Sequence, residues 1–468
     1  MSAGHFDSLR RLLPLAWPVF IGQIAVLSYS TVDTVLVARA SANDLAALSV
    51  GSAVFFTVFI GLMGIVLAIS PVVGQLFGAG KLREAGDELH QTVWLALALT
   101  VLGEALLLFP GPLLDIARVG PEVEARVRGY LLAQAAALPA SLLFTAYRGF
   151  NTAVSRPKAV MVLQVGGLAL KLPLSLLLVQ GVSALGLPPM GAVGCGIATA
   201  IVMWSQALVA AVLLRRDPFY AQFGLQEGGL HRPRLQALKQ LLKLGLPMGG
   251  AILIEVTGFT FMAIFIARLG ATPVAGHQLA VNLIALMFMM PMALGNAAGT
   301  LVAQSLGAHR HAEARRLGWH SLEIGMALAF VLGGLVFFAR EPVLRLYTDD
   351  ASILAAAMPL LLWVWLFHLG DAGQTIAAFV LRAHHIATAP MLIYALAVAG
   401  LGLGGGFALA FGHLPALPQD WQGAPGFWIA ATAGLVSAAL LLSGLLAYVH
   451  RIEARENRRD ALPAGAEH

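Results

Sequence analysis

The chain contains twelve apolar runs, each long enough to cross a bilayer. A helix rises about 1.5 Å per residue, so about 20 apolar residues match the hydrocarbon core. The runs fall at 12–38, 46–72, 89–110, 128–147, 159–180, 192–214, 241–268, 275–303, 318–339, 353–381, 389–411 and 427–449. Within hydrocarbon the backbone must satisfy its own polar groups, so runs of this length are read as helices. The expected fold class is an all-α integral membrane protein with twelve transmembrane helices. Only 11% of the residues are charged, against roughly 25% in soluble domains, which excludes a soluble enzyme. Arg10 and Arg11 lead straight into the first run, which is too long for a signal h-region, so the first span is expected to be retained.

The placement of the cations gives the orientation. Assigning the first end and every second loop to one side puts 21 of the 29 Lys and Arg there, seven on the other side, and Lys171 inside a helix. The positive-inside rule then makes both termini cytoplasmic.

Sliding the sequence against itself by 229 residues aligns the first two runs with the seventh and eighth without a gap. Leu12, Leu13 and Leu15 fall on Leu241, Leu242 and Leu244, Pro18 on Pro247, and Ala38-Arg39 on Ala267-Arg268. Gln75, Gly78-Ala79 and Glu84-Ala85 fall on Gln304, Gly307-Ala308 and Glu313-Ala314. A gapped continuation sets Arg148, read as a loop residue, against Arg382. The match predicts two pseudo-symmetric six-helix bundles as parallel repeats, an arrangement in which substrate sites lie between repeats near the midplane. The predicted organisation is an N-terminal lobe at 1–214, a cytoplasmic linker at 215–240, a C-terminal lobe at 241–450 and a cytoplasmic tail at 451–468 that ends in disorder. The basic linker reads as topology determinants and lipid-headgroup contacts, not as a nucleic-acid site.

Four stretches carry a family resemblance: WPVFIGQIAVLSYSTVDTVLVAR with LAALSVG, SPVVGQLFGAGK, GAVGCGIATAIVMW, and AGHQLAVNLIALMFMMPMALGNAAGTLVAQSLGA. In these the chain resembles the multidrug and toxic compound extrusion (MATE) transporters of the NorM-type branch, from about Leu12 to His450. The resemblance implies export of cationic, amphipathic compounds in exchange for entering Na⁺ or H⁺, by alternating access. The implied location is the bacterial cytoplasmic (inner) membrane.

Five acids fall inside the runs: Asp33, Glu104, Glu255, Glu323 and Asp371. Ionisable groups at membrane depth are costly and mark ion or substrate paths. Glu255 and Asp371 sit near the middle of their helices, and the resemblance matches both to the family's cation-site acids in the second lobe. They are the metal-binding pair if the coupling ion is Na⁺. The alternative for each is a carboxyl that only fixes packing. Gln278 and Asn282, four apart on one helix face, offer amide oxygens to ion or substrate, or else act as interhelical glue. Tyr394 is carried over from the family, which often has a further tyrosine where this chain has Phe367. His368, three residues before Asp371, is a candidate modulator of that acid.

Asp33 matches the family's first-helix aspartate, but Lys171 stands where the family commonly offers asparagine. A lysine flanked on both sides by apolar sequence needs a counter-charge or must lose its proton. Apart from Glu104, Asp33 is the acid available in the first six helices, so the two are expected to pair. The alternative is a snorkelling lysine. Glu104 and Glu323 lie near helix ends and read as interfacial. Met287, Met289, Met290 and Met292 read as core packing or as a soft binding surface.

The sequence lacks a GxxxxGK[ST] loop, a nucleophile elbow and Cys/His metal spacing, so the expectation is a gradient-driven carrier with no enzyme activity and no cofactor beyond the coupling ion. Expected partners are small cationic amphipathic substrates and membrane lipids, with a monomeric protein and no nucleic acid. The rival function is a flippase for a lipid-linked precursor in the wider superfamily. It calls for a large basic cavity, and the intramembrane acids argue against it.

Overall fold

All twelve apolar runs are helices in the computed structural model, which describes residues 3–460 apart from 112–113, 115–119, 183–185, 413–417 and 419–420. The end of the tail expected to be disordered, 461–468, lies outside the described residues. The spanning helices are α1 (Gly4–Ala38), α2 (Ala42–Gly78), α3 (Leu82–Leu108), α4 (Pro121–Ala153), α5 (Pro157–Gln180) and α6 (Gly191–Arg216). They continue with α7 (Leu235–Ala267), α8 (Ala271–Gly307), α9 (His311–Phe338), α10 (Leu360–Ala383), α11 (Thr388–Ala410) and α12 (Ala424–Arg455). The chain is thus a multi-pass, all-α membrane protein.

Several helices run a turn or more beyond their apolar stretch. Arg148 and Arg382, expected in loops, therefore sit inside helices, Arg148 five residues before the end of α4 and Arg382 in the last turn of α10. The tenth span starts at Leu360, later than its apolar run. Ala351–Ala357 is a separate short helix capped by the Asp350 side chain, and Pro359 occupies the cap position of α10. α2 is interrupted after Val66 and resumes at Ile69. Residues Ala395–Gly404 of α11 are π-helical.

The internal repeat survives as local geometry. Gly80 and His309, equivalent at the 229-residue offset, both take left-handed φ values of 72° and 57°. In each turn the next residue's N–H closes a six-residue loop, Lys81 to the Leu76 carbonyl at 2.9 Å and Arg310 to the Ser305 carbonyl at 2.8 Å. Ser155 (φ 60°) and His385 (φ 59°) repeat the pattern after α4 and α10, through Arg156 to Asn151 and Ile386 to Leu381. This is the Schellman cap, which usually takes glycine. Non-glycine residues hold that conformation at a cost of about 1–2 kcal/mol each, so the turn is fixed by the helices on either side and not by its own sequence.

Contacts divide the chain into two compact units, Trp17–Leu253 and Met1–Ala16 together with Ile254–His468. Each division falls inside a spanning helix. In the first unit the start of α7 crosses α2 through glycines. A Cβ added to Gly64 would lie 2.5 Å from the Gly249 Cα, and one added to Gly249 would lie 2.5 Å from the Gly61 carbonyl oxygen. Gly245 and Gly249 form a GxxxG face of the kind that lets membrane helices approach closely. In the second unit the start of α1 packs Leu12, Leu15 and Ala16 against Leu294, Ala298 and Leu301. Polar contacts line the same seam: Ser8 to His320 Nδ1 at 2.8 Å, Arg11 to Glu313, and His5 to Glu323. Glu323 therefore has a helix-end partner, in keeping with its interfacial position in the sequence.

The segment after α6 folds onto the first unit. Asp217 caps the 3₁₀ helix Pro218–Phe223 through the Phe219 N–H at 2.9 Å and pairs with Arg156 at 2.8 Å. The backbone N–H first, and then the Arg156 guanidinium, hold the Asp217 carboxyl below the usual aspartate value.

Candidate functional site

Asp33 forms a closed site with Lys171. Its Nζ lies 2.9 Å from Asp33 Oδ1, 2.8 Å from Thr199 Oγ1 and 3.3 Å from the Cys195 carbonyl oxygen. An ammonium has three protons to give, and here each has an acceptor. The Ser175 hydroxyl donates to the same Asp33 oxygen at 3.1 Å. Lys171 is 0% exposed and Asp33 6%. The structure thus brings together the two residues the sequence pairs, on α1 and α5, and leaves no room for snorkelling. Ser175 stands one helical turn after Lys171, and Cys195 and Thr199 are one turn apart on α6. The i, i+4 spacing of these residues is the one signal of a shared face that the sequence carries for them.

Four residues from Asp33, a neutral network ties the same helices together. The Tyr29 hydroxyl donates to the Gln164 carbonyl at 2.9 Å, and Gln206 Nε2 donates to Tyr29 at 3.0 Å and to the Leu163 carbonyl at 2.8 Å. Gly167 makes room for it: a Cβ there would lie 2.1 Å from Gln206 Nε2.

The second acid site is built differently. Asp371 on α10 is buried, and Gln374 Nε2, one turn on, donates to its Oδ1 at 3.0 Å. The same nitrogen lies 2.9 Å from Thr375 Oγ1 and 3.3 Å from the Tyr394 hydroxyl. Glu255, Asp371 and Tyr394 are close enough to interact electrostatically. Glu255 is half-buried and lines a cavity of about 30 Å³ with Phe259, Phe367, Tyr394, Val398 and Gly402. A site of that volume admits a water or a small ion and not a drug-sized molecule, which needs roughly 300 Å³ or more. Val398, Gly402 and Leu403 of its wall belong to the π-helical stretch that begins directly after Tyr394. Such departures from α-helical pairing gather at functional sites.

The cation closest in interaction with Glu255 is Arg382, which acts on it electrostatically without forming an ion pair among the described residues. Its guanidinium stands over the Phe379 ring, 5.1 Å from the centroid. Gln374, Thr375 and Arg382 have no site role legible in the sequence, because a polar residue on a helix carries no signal of what it faces.

Other candidates are not gathered in. Gln278 and Asn282 are exposed, and the Asn282 amide donates to the Gln278 carbonyl at 3.0 Å, with no hydrogen bond from either to Glu255 or Asp371. His368 is fully buried, with neither ring nitrogen hydrogen-bonded and no bond to Asp371. Met287 packs in the core among Met262, Leu283 and Val364. Phe367, in place of the family's tyrosine, stacks edge-on against Phe259 and Trp428 at 5.7 and 5.6 Å.

A family profile described as MatE matches residues 18–177 and 247–407, two segments offset by the repeat interval. The chain belongs to the MatE family. A MatE protein is a transporter and not an enzyme, and it needs no cofactor. The chain is 41% identical over 446 residues to a probable multidrug resistance protein NorM of Aromatoleum aromaticum, across 95% of each chain. It is 35% identical over 440 residues to the multidrug resistance protein NorM of Vibrio cholerae, across 94% of this chain and 95% of that one. Among solved structures, the eukaryotic MATE transporter AtDTX14 superposes with a TM-score of 0.85 at 19% identity, over 98% of this chain and 100% of that one. The Vibrio cholerae MATE transporter VcmN in its bent form gives 0.84 at 18% identity, over 97% and 99%. At such identities the structural likeness is one of fold.

Proposed function

We propose that this MatE protein is an ion-coupled exporter of cationic, amphipathic compounds, and that Glu255 and Asp371 are where ion and cargo exchange. The observation that carries the reading is a pair of interacting carboxylates in apolar spans, one buried and one lining a small cavity, with neither ion-paired to a cation among the described residues. The relatives named as multidrug resistance proteins support the cargo class. The donor set fits the coupling ion: two carboxylates and the Tyr394 and Thr375 hydroxyls offer oxygen, which hard cations prefer. An entering Na⁺ or proton neutralises the pair and removes the counter-charge of the cargo. Departure of that ion restores it. Two ligands drawing on one set of charges must weaken each other reciprocally, so alternating access is coupled without any longer-range device.

Asp33 takes no part in this exchange, because Lys171 already supplies its cation. Gln278 and Asn282 serve cargo on its way and not the ion itself. The repeat marks 1–214 and 241–450 as the two lobes, joined by 215–240 and followed by the 451–468 tail. We place the protein as a monomer, surrounded by lipid, in the bacterial inner membrane with cytoplasmic termini, from the Lys and Arg distribution.

The test is flux in proteoliposomes holding the purified chain. A fluorescent organic cation is offered under a Na⁺ gradient and a pH gradient imposed separately. One of the two drives uphill movement, and added Na⁺ or H⁺ displaces bound cation. Movement that ignores both gradients overturns the reading.

A further inference from the structure

The segment between α6 and α7 folds back on the start of α3, and there it gathers three metal-ligating side chains that transport does not use. Asp87 and His90 stand three apart on α3 and so share a face. His231 reaches them from the linker. One ligand-type atom of each residue lies within 4.8 Å of the other two. His231 Nδ1 is 2.6 Å from Asp87 Oδ1, and the His90 and His231 rings stand edge to face with centroids 4.4 Å apart. His90 Nδ1 is buried and has no hydrogen-bond partner among the described residues. Two imidazole nitrogens and one carboxylate oxygen are a donor set of the kind Zn²⁺ accepts in three-ligand sites, with water in the fourth position.

The backbone that carries His231 is held independently of these side chains. Trp94 Nε1 donates to the His231 carbonyl at 2.8 Å, and Gln91 Nε2 to the Arg232 carbonyl at 3.1 Å. Gln91 Oε1 accepts from the Arg234 N–H at 2.6 Å. Asp87, His90, Gln91 and Trp94 are successive members of one α3 face, so a single helix supplies two ligands and positions the third. Metal sites depend on such outer supports to orient their ligands. The His231 side chain is 50% exposed and that of Asp87 33%, which leaves a way in from solvent.

We propose that Asp87, His90 and His231 bind one borderline divalent transition-metal ion, with Zn²⁺ as the probe, and that the bound ion pins the linker to α3. A ligating nitrogen must carry no proton, so binding through His231 Nδ1 replaces the His231–Asp87 hydrogen bond and leaves the imidazole proton on Nε2.

The full-length protein, purified in detergent without a polyhistidine tag and stripped with chelator, is titrated with Zn²⁺ by calorimetry. One saturable site per chain is expected. Losing an outer support typically costs 10- to 100-fold in metal affinity, so His231→Ala, which removes a ligand, lowers it by at least about tenfold. Because His231 lies on an exposed linker, that variant keeps its fold, checked by gel filtration and melting temperature. His90→Ala is the second variant. Zn²⁺ also slows proteolysis of the linker in the unmodified chain and not in His231→Ala. Equal stoichiometry and affinity in the unmodified chain and both variants, or no saturable binding at micromolar Zn²⁺, overturns the proposal.

Discussion

Two intramembrane acid sites in one chain, one in each compact unit, solve the problem of a buried carboxylate in opposite ways. Asp33 has a fixed ammonium at 2.9 Å whose remaining protons are taken by Thr199 and the Cys195 carbonyl. Glu255 and Asp371 have a tyrosine, a glutamine and a threonine around them, and a small cavity in place of a cation. The first arrangement is complete, and any ligand entering it must break an ion pair. The second has two carboxyl groups and, among the described residues, no ion-paired cation, as the proposed exchange of cations requires. A repeated scaffold can therefore carry a structural site in one copy and a working site in the other.

The sharpest way to break this comparison is at Glu255. Glu255→Gln keeps the shape and removes the charge, and is expected to abolish gradient-driven export while the protein still reaches the membrane and folds to the same extent. Asp371→Asn is expected to act in the same direction. Asp33→Asn, by contrast, should leave ion dependence unchanged in whatever fraction folds. The measurement is gradient-driven flux per folded molecule, and full flux from Glu255→Gln removes the distinction between the sites.

The next effect is one of stability. Removing one partner of a buried pair leaves the other uncompensated, at about 3–5 kcal/mol. Asp33→Asn and Lys171→Met are each expected to lower the melting temperature in detergent strongly. The double variant Asp33→Asn with Lys171→Met should recover much of the loss, since well-packed neutral replacements of buried pairs are often nearly neutral. Additive losses would show that the residues touch without depending on each other.

How much of this was legible depended on whether a signal was local. Twelve long apolar runs and a 229-residue repeat need no tertiary information, and the helices and the paired turns at Gly80 and His309 follow them. Lys171 and Asp33 could be paired by elimination, because an apolar span offers a buried charge so few counter-charges. Tertiary placement was not legible. The four-residue spacing of Gln278 and Asn282 gives them a common face but cannot say that the face is exposed. Nor does the sequence announce that α1 and α7 are each divided between two units, since that depends on which glycine faces meet. Tyr394 was carried by resemblance alone. Its link to Glu255 and Gln374 rests on a helix–helix packing that no residue pattern encodes.

The smallest and most discriminating effect comes from making the same change in both sites. Thr199 accepts a hydrogen bond from Lys171, and Thr375 accepts one from Gln374 beside Asp371. Valine has nearly the same shape as threonine and lacks the hydroxyl, so Thr199→Val leaves one Lys171 proton short of an acceptor, at about 1–3 kcal/mol. In Thr375→Val the two Gln374 amide protons still have Asp371 and the Tyr394 hydroxyl. The melting temperature should therefore fall more in Thr199→Val. Transport should respond in the opposite order. Thr375→Val removes an oxygen from the donor set proposed for the coupling ion, so the ion concentration giving half-maximal export should rise. Thr199→Val touches only the fixed pair, and its half-maximal concentration should stay where it was. A stability loss at Thr199 with a shift in ion dependence at Thr375 alone separates the two sites. Equal shifts in both would mean that Asp33 also exchanges ions and that Lys171 is a moving part.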